Sequence, residues 1–152
     1  MSGTSSSRLN QNLVRNTSRA ISVGAGYSML SRGGQGSFEM YATPSETISV
    51  VDLEKYLKLE LKNIVDNGVT DAELKRVITS VIAGEVYQKD SVYGAVMQIG
   101  QLETMGYSHK IVDDYIDNIK QVTSKEIQAV IKKYFHDDAL TIVTLDLSLI
   151  HI

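Results

Sequence analysis

The stretch VGAGYSMLSRGGQGSF, Val23 to Phe38, contains five of the chain's 11 glycines and decides what kind of fold the chain forms. Bulky and small residues alternate before and after its centre, and a two-residue period is typical of β-strands. Between the two alternating runs, the segment from Ser31 to Gly36 has the glycines of a turn. The pattern therefore predicts an antiparallel hairpin. The bulky positions are Ile21, Val23, Ala25, Tyr27 and Met29 before the turn, and Phe38, Met40 and Ala42 after it.

A phosphate-binding loop is the alternative interpretation of the same glycines. Such a loop needs successive backbone N–H groups at the start of a helix, and the dinucleotide fingerprint places its glycines between a strand and a helix. Here Gly24 and Gly26 lie inside one alternating run, while Gly33, Gly34 and Gly36 precede another. This context favours a hairpin whose inner glycines permit close approach of another backbone.

Helical periodicity dominates the rest of the chain. Apolar residues three and four positions apart predict about five helices between about residues 49 and 135, and a short helix before the hairpin closes at Arg15. Two of the long helices begin with a capping box, Thr70 with Glu73 and Thr123 with Glu126. The apolar stripes are Val50, Leu53, Leu57, Leu61 and Ile64, then Leu74, Val77, Val81 and Val86, then Val92, Val96, Ile99 and Leu102, and then Ile111, Tyr115 and Ile119.

The segment from Ala139 to Leu147 is rich in Thr, Ile and Val and predicts a last strand. The predicted fold class is therefore α+β, with a small antiparallel sheet (the hairpin plus the C-terminal strand) covered by about five helices. Such a sheet has unpaired edges, so we expect further strands from missing sequence or from a second chain, including a homo-oligomer formed through the unpaired strands. We expect residues 6–147 to form the domain, after a flexible or added leader (1–5) and before a tail (148–152).

The composition argues against several classes of partner. The chain has 152 residues, 15 of them basic and 18 acidic, with a net charge of -3 and no Lys/Arg block, so neither nucleic acid nor a charged membrane surface is expected to bind. No apolar run approaches the roughly 20 residues of a membrane span. Since there is no cysteine, disulfides and thiol catalysis are excluded. The N-terminal MSGTSSS is not a signal peptide, so any export signal would lie upstream.

No catalytic or metal-binding constellation stands out. A zinc site would need its ligands on a shared face, whereas His109, His136 and His151 are far apart, and His136 is more simply a cation after a helix C-terminus. Asp113 and Asp117 have the spacing of an acid–base pair, but a solvated helix face is the better explanation. No G-x-S-x-G is present. We therefore predict a scaffold with no catalytic residue, metal ligand or cofactor of its own.

The order of five segments carries a resemblance to a known family. They are SSRLNQNLVRN, AISVGAGYS, GSFEMYATP, NGVTDAELKRV and VTSKEIQAVIKKYFHDDALTIVTL. In this order they resemble the C-terminal part of a domain from the insulinase and pitrilysin family of zinc metallopeptidases, which includes the mitochondrial processing peptidases. The resemblance covers about Ser6 to Asp146, nearly the whole chain.

The resemblance implies a clamshell of two related α+β halves, of which only the first carries the inverted zinc motif H-x-x-E-H. In that motif the histidines bind zinc and the glutamate activates water. Because H-x-x-E-H is absent here, the chain resembles the second, non-catalytic half. The implied partners are a catalytic H-x-x-E-H half, in the same polypeptide or in a partner subunit, and a peptide substrate. Zinc would bind the missing catalytic half.

The resemblance also implies one substrate-binding residue in this chain. The second half of such peptidases often supplies an arginine and, about seven residues later, a tyrosine, which hold the substrate near the zinc. Arg15 matches the arginine, while the tyrosine position falls on Ile21 or Ser22, so the pair is incomplete. The alternative interpretation of Arg15 is a surface arginine at a helix end.

Two functions follow from the resemblance. The first is a non-catalytic C-terminal segment of a zinc metallopeptidase, which forms chamber wall and substrate contacts while the parent protein hydrolyses peptides; a bacterial parent would suit a periplasmic or exported location. The alternative is a structural or binding subunit of a catalytically inactive family member. An unrelated α+β binding domain is a third, remote option.

Overall fold

A computed structural model describes residues 7–28 and 36–145 of the chain, without the side chains of residues 88 and 89. A short π-helix, Asn10–Arg15, comes first, followed by two strands and five α-helices. A 3₁₀ turn, Asp137–Ala139, follows the last α-helix. The strands are β1, Ala20–Ser28, and β2, Ser37–Pro44; the helices are α1, Val50–Asn67, α2, Asp71–Lys89, α3, Val92–Thr104, α4, Ile111–Gln121, and α5, Ser124–Tyr134.

The hairpin and the α+β class are confirmed. β1 and β2 pair antiparallel, and the Ser22 hydroxyl donates across the ladder to Thr43 Oγ1 at 3.1 Å. The predicted turn lies almost wholly outside the described residues. Of the hairpin glycines, Gly36 shows close backbone approach, because an added Cβ would lie 2.7 Å from the Ser28 carbonyl oxygen. At Gly24 the neighbour is instead the end of the Tyr41 side chain.

The predicted C-terminal strand is not formed in the part of it that the structure describes. Residues 140–145 have no strand conformation, and the sheet consists of β1 and β2. The β-branched composition was a correct indicator of strand propensity, but a strand also needs a partner edge. Within the described residues no such edge pairs with this segment.

The chain divides into two compact units, one from the described parts of residues 1–24, 41–66 and 128–152, the other from those of residues 25–40 and 67–127. The first unit holds nearly all of the buried apolar side chains. In it, α5 is tied to α1 by the Gln128 amide, which donates to the Val65 carbonyl at 2.8 Å. Its buried apolar residues are Leu9, Leu13, Ala20, Val23, Leu53, Ile64 and Ile131.

The second unit buries much less apolar surface than its helical stripes predict. Among its described residues, Leu102 is buried as expected, at 4% exposure. The prediction that the apolar stripe of α2 is a core face is wrong, since Val77 and Val86 are both 52% exposed. On α3, Val92 and Val96 are also exposed. Periodicity shows which face of a helix is apolar, but burial requires an opposing surface, and the described residues cover these four valines only in part.

The helix ends follow the predicted capping chemistry. In both capping boxes the Thr N–H donates to the Glu carboxylate and the Glu N–H donates back to the Thr hydroxyl, at 3.0 and 3.2 Å for Thr70 with Glu73 and at 2.8 and 3.3 Å for Thr123 with Glu126. The Thr123 contacts lower the pKa of Glu126. Gly68, with φ +73°, takes the left-handed conformation just after α1.

Candidate functional site

Arg15 lies at the exposed C-terminal end of the π-helix. The chain after it folds back onto the same helix. The Ser18 N–H donates to the Val14 carbonyl at 3.2 Å, and the Arg19 N–H donates to the Leu13 carbonyl at 2.8 Å. Ser18 itself has a left-handed φ of 50°. These bonds fix the backbone that leads from Arg15 into β1.

Helix α1 holds the same segment from the side. The Asn12 amide donates to both carboxylate oxygens of Glu60, at 3.0 and 2.9 Å. The Arg19 guanidinium lies 3.9 Å from the centroid of the Tyr56 ring, a cation–π contact. Tyr56 and Glu60 are one turn apart on α1, so they present neighbouring side chains on one face. This face of α1 contacts the segment through Asn12 and Arg19, whereas Arg15 is exposed to solvent.

The position of the missing tyrosine lies at the start of β1. Ile21 is 64% exposed, and Ser22 is engaged with Thr43 on β2. Neither residue provides a phenol. In the hairpin ladder the Tyr41 phenol lies across Gly24, and Tyr41 is 66% exposed.

The resemblance pointed to Arg15, whose role stays a prediction, but the sequence did not indicate the residues that hold its segment. Asn12 and Glu60 are 48 positions apart. No local motif links two residues so far apart. The one-turn spacing of Tyr56 and Glu60 indicates only that they share a helix face. Tyr41 was also missed; its signal is an aromatic residue opposite a strand glycine, a pairing known to protect glycine in sheets.

The other polar clusters belong to helix ends. Hydrogen bonds to Asp52 from Lys55 and, with a smaller effect, from the Ser49 hydroxyl lower the pKa of Asp52. The His109 backbone N–H, followed by its side chain, lowers the pKa of Glu103, which bonds His109 Nδ1 at 2.7 Å. These groups are solvent-exposed, as are Asp113 and Asp117. They stabilise local structure.

The described residues offer no metal centre. No three His, Cys, Asp or Glu side chains among residues 7–28 and 36–145 come together as metal ligands, and the third histidine, His151, lies outside those ranges. Within the same part of the chain, none of the helices has the length and apolar character that a membrane crossing requires. Arg15, exposed at the end of the π-helix, carries N–H groups that can donate hydrogen bonds.

Comparison with known protein families decides the identity of this fold. The family described as the peptidase M16 inactive domain matches residues 1–81, more than half of the chain. The chain belongs to this M16 family. The resemblance to the C-terminal domain of insulinase-family peptidases is thereby confirmed, and the M16 inactive domain is a non-catalytic domain of a metallopeptidase-family protein.

A solved structure supports the fold of this M16 domain. The crystal structure of a protease from Helicobacter pylori superposes with a TM-score of 0.78 and 18% sequence identity, over 88% of this chain and 32% of that protease. The M16 domain described here thus spans about a third of the length of that protein. A comparison with curated protein sequences finds no significant match.

Proposed function

We propose that this M16 domain is the non-catalytic wall of a peptide-hydrolysing chamber. A catalytic half, in the same polypeptide or in a partner subunit, supplies H-x-x-E-H and zinc, and the chain described here supplies contacts to the peptide. The family match to the inactive domain supports this division of labour. The lack of a metal-ligand cluster among the described residues is compatible with it.

Arg15 is the residue proposed to contact the peptide. The observation that carries this assignment is the exposed position of Arg15. Its segment is held by backbone hydrogen bonds and by contacts with α1. An arginine can donate several hydrogen bonds to peptide carbonyl oxygens without changing its charge. Because its backbone is already ordered, little further entropy is lost when it binds.

The outer edge of β1 begins five residues after Arg15 and is proposed to receive the peptide as an added strand. A peptide that adds a strand to a free sheet edge gains main-chain hydrogen bonds, and nearby side chains provide selectivity. In the described sheet β1 is paired with β2 on one side only. An extended peptide along β1 would pass close to the end of the π-helix that carries Arg15.

A binding experiment tests the role of Arg15. We expect Arg15→Ala to weaken binding of a fluorescent extended peptide by about 10- to 150-fold, the range of one lost hydrogen bond that involves a charged group. Binding is measured by fluorescence anisotropy. Arg76→Ala, which removes an exposed arginine of α2, is the matched control and should bind like the unaltered chain. Equal loss in both variants, or none in Arg15→Ala, would contradict the assignment.

The second candidate function is a structural or binding subunit of an inactive family member. The absence of a phenol at Ile21 and Ser22 favours it, because the arginine would then lack its aromatic partner. A search of the parent protein and its bound partners for H-x-x-E-H separates the two functions. An intact motif supports the peptidase, and its absence supports the inactive subunit.

A further inference from the structure

Residues 140–145 present an unusual surface for a segment at the end of a helical unit. Leu140 and Ile142 are 46% and 52% exposed, and Val143 and Leu145 are 89% and 75% exposed. In an extended conformation these residues would point to both sides of the strand. A short neutral run that is apolar on both sides is typical of a strand buried between two layers. The segment therefore has the composition of an inner strand but lacks its surroundings.

The outer edge of β1 is the complementary feature of the same unit. Over Ala20–Gly24, β1 is bonded to β2 on one side, and no further strand of the described chain joins the sheet. Ile21, the second residue of this stretch, is 64% exposed, while Ala20 and Val23 are buried in the chain itself. Free strand edges readily accept another strand, and natural proteins usually protect them. Neither proline nor lysine protects this stretch of β1.

The charged residues that precede the segment 140–145 and β1 favour pairing of this segment with β1 over parallel pairing with a second copy of itself. Asp137 and Asp138 immediately precede the neutral segment, and the Asp137 side chain is 91% exposed, with one ion pair to Lys58 at 3.6 Å. Two copies of the segment laid side by side in the same direction would bring these aspartates together, which is unfavourable. β1, by contrast, is preceded by two arginines. A segment aligned parallel to β1 would set its aspartates near Arg15 and Arg19.

We infer that two copies of this chain exchange strands, with residues 140–145 of each copy added to the outer edge of Ala20–Gly24 of the other. The exchange is reciprocal, so it closes a symmetric dimer. It also places the segment where the proposed function puts a peptide. The dimer does not depend on that function, since it is measured by mass and the peptide by anisotropy.

Sedimentation velocity of the whole chain at several concentrations is the first test. We expect a concentration-dependent dimer, and we expect Val143→Lys to raise its dissociation constant by about tenfold or more, because a charge would replace a buried apolar side chain. Leu59→Lys, at a site on α1 that is 55% exposed, is the matched control and should dimerise like the unaltered chain. A monomer at all concentrations, or equal loss in both variants, would overturn the inference.

Cross-linking tests which surfaces meet. Because the chain has no native cysteine, only the introduced cysteines react with the cross-linker. One copy carries Ile21→Cys, the other Val143→Cys, and a short bis-maleimide joins them after mixing; both positions are exposed in the single chain. Strand exchange predicts that the mixed product, separated by mass, exceeds the Val143–Val143 product. A predominant Val143–Val143 product would show that the segments pair with each other and would overturn the exchange. The cross-linking does not rely on Val143→Lys folding normally.

Discussion

At the scale of single residues, the three described hairpin glycines differ in what surrounds them. A Cβ at Gly36 would meet the backbone oxygen of Ser28, whereas one at Gly24 would meet the mobile end of the exposed Tyr41 side chain. A Cβ at Gly26 would meet nothing within 4 Å. The sequence predicted that the inner glycines, Gly24 and Gly26, permit close approach of another backbone. This is wrong at both positions, because the neighbours come from the opposite strand, which local sequence does not show.

Gly36→Ala is therefore expected to destabilise the hairpin most. A clash with backbone cannot be relieved by rotating a side chain, so we expect a loss of about 1–3 kcal/mol in the free energy of unfolding. Gly26→Ala is the matched control and should change that free energy by less than about 0.5 kcal/mol. Urea denaturation followed by circular dichroism provides both values. Equal effects at the two positions would show that the Ser28 contact is unimportant.

Tyr56 is expected to stabilise the segment that carries Arg15. Tyr56→Leu keeps an apolar side chain but removes the ring beneath Arg19, so we expect a loss of about 0.5–1 kcal/mol in unfolding free energy. The same variant should weaken peptide binding, since the Arg15 segment loses one of its supports. Tyr93→Leu, at an α3 position that is 75% exposed, is the control for both measurements. Unchanged stability in Tyr56→Leu would remove this contact from the account.

At the scale of elements, the helix boundaries were the most predictable part of the fold. The capping boxes at Thr70 and Thr123 depend only on residues three positions apart, so local sequence contains the whole interaction. The third strand was less predictable, because pairing depends on an edge that local sequence does not include. The same reason explains why α2 and α3 were assigned core faces that the structure leaves exposed.

The capping box of α5 predicts a pH-dependent contribution to stability. The pKa of Glu126 is lowered in the folded chain by the Thr123 hydroxyl and N–H. A lowered folded pKa stabilises the fold above the unfolded value, about 4.3, and this contribution disappears as the pH falls through the folded pKa. We expect Glu126→Gln to lower the Tm at pH 7 and to approach the unaltered chain near pH 3. A Tm difference that stays constant across this range would contradict the cap.

At the scale of the whole molecule, sequence order identified the family, whereas its functional site was only partly accessible. Five ordered segments were enough to indicate an insulinase-family domain, since each reflects a local pattern. The role of Arg15 was predicted through the resemblance and stays a prediction, whereas the contacts of its segment with α1, through Asn12 and Arg19, are a tertiary property. The exposed apolar faces of α2 and α3 and the unpaired residues 140–145 agree with a domain that functions against other protein surfaces.

The central claim is that this M16 domain contributes no zinc and no catalysis of its own to the parent protein. The most direct measurement determines zinc content and peptide cleavage for the purified chain and for the full-length parent, side by side. We predict no stoichiometric zinc and no cleavage for the chain, and both for a parent that contains H-x-x-E-H. Stoichiometric zinc in the chain alone, or peptide cleavage by it, would contradict the account.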